Sequence, residues 1–103
     1  MNYTKDVGGI IDLDTEAKKW TKNFRVANPT VAKAYFIGAN IINEILDQEE
    51  CVGIRVYNAL DAQGKPQAVF VGVDDQGKDM VNGIVADRCY PCPNECDTSS
   101  PLS

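Results

Sequence analysis

Four cysteines hold the sulfur chemistry available to this chain: Cys51 stands alone, while Cys89, Cys92 and Cys96 fall within Cys89-Tyr90-Pro91-Cys92-Pro93-Asn94-Glu95-Cys96. Four thiolates can close a tetrahedral zinc site, and the step from Cys89 to Cys92 has the spacing of a ligand pair. Pro91 and Pro93 lack the backbone N–H that would otherwise donate to a ligand sulfur. An iron–sulfur cluster meets the same shortage and lacks its second Cys-x-x-Cys step. The same Cys-x-x-Cys form serves thiol–disulfide oxidoreductases, but there it opens a helix after an early strand, where the helix dipole lowers the thiol pKa. Here it sits among prolines near the C-terminus. Disulfides that tie this segment to the body, in any of three pairings, and inert buried thiols are the simpler expectations. A bridge from Cys51 to the C-terminal segment would contribute about 2–4 kcal/mol. No cofactor is expected; zinc through Cys51, Cys89, Cys92 and Cys96 is the alternative.

Other catalytic chemistry is poorly supplied. The sequence has no His, the commonest general base, and its serines are Ser99, Ser100 and Ser103, which leaves no serine triad. It has no phosphate-binding glycine loop. Asp74, Asp75 and Asp79 lack the spacing and the closing Glu of a calcium loop, and read as turn residues. The expectation is a protein that is not an enzyme.

Among 103 residues, 10 Lys and Arg stand against 15 Asp and Glu, for a net charge of −5. This balance disfavours nonspecific binding to nucleic acid or anionic lipid. Lys18, Lys22 and Arg25 share one side of a helix and read as a solvated basic face. No apolar run reaches the roughly 20 residues needed to span a bilayer, and the first residues lack the apolar core of a secretory signal. The expected partners are therefore protein or a second copy, not nucleic acid or membrane. The expected address is the cytoplasm, or outside the cell if the cysteines are bridged.

The positioning elements follow from periodicity. Asp14 or Thr15 caps a first helix over about 15–26, in which Ala17, Trp20 and Phe24 share a side and face the core. Asn28-Pro29 starts a second helix to about Gln48, with a broad apolar arc through Val31, Ile37, Gly38, Ile41, Ile42 and Ile45. Residues 52–57 and 68–73 alternate as strands around a turn at 61–66, and Gln76-Gly77-Lys78 echoes Gln63-Gly64-Lys65. This predicts a β-meander, with 80–85 as its third strand. In the expected register Leu60 faces Gln67, Val56 faces Val71 and Ile54 faces Val73 on the core side. Arg55, Tyr57 and Phe70 then form a second face, of the aromatic and Arg composition common at interface centres.

The fold expected is α+β: two N-terminal helices packed on a small antiparallel β-meander over 1–86, then an irregular Cys/Pro-rich tail, 87–103, folded back near Cys51. The function expected is a small non-catalytic interaction or structural module capable of self-association. The alternative is a thiol-based site, zinc first and redox second.

Overall fold

A π-helical turn, Leu13–Ala17, leads into α1 (Lys18–Ala27) in the computed structural model, which describes residues 1–103. Then follow β1 (Ala34–Phe36), α2 (Ala39–Leu46), β2 (Gly53–Leu60), β3 (Pro66–Val73), β4 (Val85–Ala86) and β5 (Tyr90–Cys92). The class is α+β, with antiparallel sheets following the first helix.

The first helical segment starts earlier than its apolar spacing predicts. Asp12 is the cap: its carboxylate accepts from the Thr15 N–H at 2.8 Å and the Thr15 hydroxyl at 2.9 Å, and these bonds hold its pKa below the usual carboxylate value. At the other end Asn28 closes α1, its backbone N–H and side-chain amide both donating to the Phe24 carbonyl, at 2.8 and 3.2 Å.

The long second helix expected from Asn28-Pro29 does not form. Residues 29–31 turn, Ala34–Phe36 extend into β1, and of the predicted span only Ala39–Leu46 are α-helical. Two local preferences account for this. Tyr35, Phe36 and Ile37 suit a pleated strand, and Gly38 would weaken a helix interior by about 1 kcal/mol. Gly38 instead precedes α2 in extended conformation, and its carbonyl accepts the Ile42 N–H at 3.3 Å. The partner that draws 34–36 into a strand comes from the C-terminal segment, for β1 pairs with β5 (Ala34↔Cys92, Phe36↔Tyr90). Residues 87–103 therefore include a strand and are not irregular throughout.

The hairpin β2–β3 forms one residue out of the expected register. Leu60 faces Pro66, Val56 faces Phe70 and Ile54 faces Gly72. A slip of one residue turns every β3 side chain to the other face. Ala68, Phe70 and Gly72 consequently join Ile54 and Val56 on the side covered by α2, while Val69, Val71 and Val73 join Arg55 and Tyr57 on the reverse.

The repeated turn motif dictates this register. Asp61 accepts from the Gln63 and Lys65 N–H groups through one carboxylate oxygen, and Asp74 does the same for Gln76 and Lys78. Backbone bonds pair Asp61 with Lys65 and Asp74 with Lys78, and Gly64 and Gly77 take φ of 78° and 77°, a left-handed conformation that glycine adopts without strain. The first turn thus sets Leu60 against Pro66, and the second sets Val73 against Asp79. Beyond Met80, whose N–H donates to Gly72, the third strand is interrupted by a turn at 81–83 and resumes as β4, with Val85 opposite Val71 where an unbroken ladder would place Val81.

The core is small. Ile45, Cys51, Ala68, Phe70 and Cys89 form one buried cluster, with Tyr35, Ile42, Ile54 and Ile84 packed on its margin. Ile45 alone among the large side chains is fully enclosed. Trp20, expected in this core, is 55 % exposed, and Phe24 is 44 % exposed. The reason is positional: α1 continues the π turn as one helical segment, and no strand or second helix packs over its apolar stripe.

Candidate functional site

The four sulfurs do not converge. Cys92 and Cys96 lie at disulfide distance, with Cα atoms 4.9 Å apart, and the bond closes a short loop at the end of β5. Cys51 and Cys89 are free and buried. Both face the α2 side of β3, but at opposite ends. A Cβ built on Gly72 would lie 3.0 Å from the Cys51 sulfur, whereas the Cys89 sulfur sits 3.3 Å from Gln67 Oε1 and 3.9 Å from the Ala68 carbonyl. Positions 68 and 72 are separated by about 13 Å of strand. That span keeps Cys51 and Cys89 apart, so the four cysteines expected to share a zinc site are not brought together in this structure. No group of three or more His, Cys, Asp or Glu side chains is placed to hold a metal ion. The C-terminal segment is expected near Cys51; instead Cys89 is buried beside Ala68 and β5 pairs with β1, without a bridge to Cys51. The hydroxyl of Tyr35, beside Cys89, has its pKa raised by burial and secondarily by that thiol.

Of the residues predicted to form a contact surface, Arg55 and Tyr57 meet on the reverse face of the hairpin. Phe70 does not join them; the register turns it into the core, where it is 7 % exposed. Asp79 takes its place. Arg55 Nη1 donates to Asp79 Oδ1 at 2.5 Å and to the Gly77 carbonyl at 3.2 Å, and the Tyr57 hydroxyl donates to Asp79 Oδ2. The Tyr3 ring lies under the guanidinium, 5.9 Å from centroid to Cζ, and crosses so close to Gly77 that no side chain would fit there. A groove of about 300 Å³ runs beside this cluster, between residues 3–7 and the strand ends at Val52–Arg55 and Val73.

The electrostatics make this cluster a latch. The Tyr57 hydroxyl, followed by the Arg55 guanidinium, holds the Asp79 carboxyl below its ordinary value, and the bond to Asp79 pushes the Tyr57 phenol above its own. Neither group changes protonation near neutrality, where proton transfer would require it. The trio instead fastens the N-terminal segment and the second turn to the sheet. Asp79 was legible in principle: once the two Asp-x-Gln-Gly-Lys turns are read as one geometry, Val73 pairs with Asp79 and the carboxylate falls diagonal to Arg55 on the same face.

A second surface arises because Trp20, expected in the core, stays exposed. Trp20 and Phe24 line an open groove of about 360 Å³ with Tyr35, Asn58 and Leu102, and Arg25 Nη1 donates to the Leu102 carbonyl at 2.7 Å. Nearby, Phe36 and Tyr90 stack across the β1–β5 pair with ring centroids 6.1 Å apart, yet remain 62 % and 59 % exposed. No helix of the protein is long and apolar enough to cross a membrane.

Compared with protein-family models, with curated proteins and with solved structures, the chain matches none.

Proposed function

We propose that this chain is a small non-catalytic interaction or structural module that works in an assembly, with further copies of itself or with another protein. One observation carries the reading. Its accessible surface is 7863 Å² at a mass of 11.3 kDa, whereas the area–mass relation for compact monomers gives about 5,700 Å². The surplus of about 2,100 Å² exceeds the roughly 800 Å² that each partner contributes to a standard stable interface. Only 10 residues are buried, and Trp20, Phe24, Phe36, Val56, Leu60 and Tyr90 all stand at least 44 % exposed. The Cα radius of gyration, 15.1 Å, exceeds the roughly 13 Å expected of a compact domain of this length.

Light scattering and native mass spectrometry across a dilution series test the proposal. The expected result is a species larger than the monomer that dissociates on dilution. A strict monomer that binds no apolar fluorescent dye would remove the support. For the compartment, the Cys92–Cys96 pair supports an oxidising one, since bridges persist there and a buried thiol such as Cys51 is shielded from oxidation. Intact mass with and without reductant tests this, the expected difference being that of two protons; no difference favours a reducing compartment.

A further inference from the structure

Resting on the assembly proposed above, we infer that the contact is made by β2 pairing antiparallel with β2 of a second copy, doubling the three-stranded sheet across a twofold axis. The outer edge of β2 is open, because the sheet runs β2-β3-β4 and no strand lies beyond β2. Apart from the ladder to β3, the only hydrogen bond to its backbone comes from the Cys51 thiol, at the Gly53 carbonyl. Single-chain proteins blunt such edges with proline, charge, shortness or a covering segment. This edge has eight residues, no proline and one charge, Arg55, which is already held by Asp79. An unprotected edge of this length is a template for strand addition.

A second copy satisfies this edge by symmetry, and the surplus of exposed surface is large enough for a dimer. A twofold axis that sets a strand antiparallel to its own copy must stand perpendicular to the sheet, so it keeps each face on its own side. Opposed residues then point the same way, and both must be even-numbered or both odd. The registers that use seven of the eight residues centre on Val56 (residues 53–59) or Tyr57 (residues 54–60). In either one, the Ile54–Val56–Asn58 face of one copy continues into that of the other, and the Arg55–Tyr57 faces join on the reverse.

The exposed helix stripe belongs to the same surface. Trp20 and Phe24 share their groove with Asn58, and Asn58 lies opposite Ala68 on the face covered by α2. The axis therefore brings both copies of the stripe to one side of the joined sheet, flanking the seam. A strand edge plus two apolar stripes forms a continuous patch, which fits a surplus of exposed surface too large for an edge alone.

The test combines a variant with a site-resolved measurement. Val56 and Leu60 are 54 % and 72 % exposed, so V56K/L60K should keep the monomer fold, checked by circular dichroism, while placing charge along the seam. The dissociation constant is expected to rise on the order of 100-fold. In the unsubstituted protein, amide exchange along Gly53–Leu60 should slow at least about tenfold above the association concentration. Association that survives V56K/L60K unchanged, or exchange along β2 that ignores concentration, overturns the strand-pairing inference and leaves the assembly proposal standing. A chain that stays monomeric at every concentration overturns the strand-pairing inference, and one that in addition binds no apolar fluorescent dye overturns the assembly proposal as well.

Discussion

Gln48 links the end of α2 to the interruption in the third strand, and replacing it by Glu separates hydrogen bonding from packing. Its Nε2 donates to the Ile45 carbonyl at 2.9 Å, and its Oε1 accepts the Ile84 N–H at 2.8 Å. The amide lies between two glycines: a Cβ on Gly72 would sit 3.0 Å from Nε2, and one on Gly83 would strike the amide oxygen. A carboxylate in that slot still accepts from Ile84 but sets an anionic oxygen against the Ile45 carbonyl. Losing a half-buried donor and gaining a repulsion should cost about 1–3 kcal/mol at neutral pH. A protonated carboxyl can donate to Ile45 again, so Gln48→Glu should have its folded-state pKa raised above the unfolded value of about 4.3. Such a group keeps its stabilisation below the unfolded pKa and loses it as pH rises through the folded one. The deficit of Gln48→Glu should therefore be small below about pH 4 and reach its full size near neutrality. Urea unfolding followed by far-ultraviolet circular dichroism across this range is the assay, since the half-exposed Trp20 is a poor reporter of the core. Comparison with the unsubstituted chain at each pH cancels the shared titrations. A penalty that stays constant with pH, or no penalty at all, would refute the reasoning.

Gly72→Ala should destabilise by about 1–3 kcal/mol through overpacking, because its methyl would meet the Cys51 sulfur and Gln48 Nε2 at 3.0 Å and Ile45 Cγ2 at 3.3 Å; a urea midpoint equal to that of the unsubstituted chain would contradict the close approach. Asp61→Ala and Asp74→Ala each remove one oxygen that accepts two backbone N–H groups, and each should cost about 1–2 kcal/mol in urea unfolding. Only Asp74→Ala should also shift the Tyr57 titration, since only its turn positions Asp79; equal effects of the two variants on Tyr57 would break that link. The latch itself should hold between two limits. Asp79 is lowered from 3.8, so its contribution is present above that pH and fades as pH falls below it, while Tyr57 is raised from 10.0, so its contribution is present below that pH and fades above it. Carbon chemical shifts of the Asp79 carboxyl and the phenolate absorbance measure the two ends, and a Tyr57 that ionises below its ordinary value would discard the latch.

How much of this architecture the residues disclose depends on the range of the interaction that decides each element. The turns are local: Asp, Gly and Lys at fixed offsets supply acceptor, left-handed backbone and closing pair within five residues, so strand order, the antiparallel meander and, from the shared geometry of the two turns, the register are readable. The break between α1 and α2 is not local in the same sense. Periodicity through Val31, Ala34, Ile37, Ile41 and Ile45 fits a helix, and what defeats it is the pairing of Ala34–Phe36 with Tyr90–Cys92, a partner more than fifty residues away. Trp20 fails for the opposite reason. Amphipathic spacing says that a stripe seeks cover but not that the cover lies in the same chain, and the α1 stripe finds none there. The sulfurs were ambiguous because spacing along a chain constrains ligand pairs only when the chain between them is free to fold back. Here β5 fixes Cys92 in a ladder and Cys89 under Ala68, leaving Cys96 as the only sulfur able to reach Cys92. The residues whose roles depart from their local pattern are thus those whose partners are remote in the chain or absent from it, as at the α1 stripe and the β2 edge.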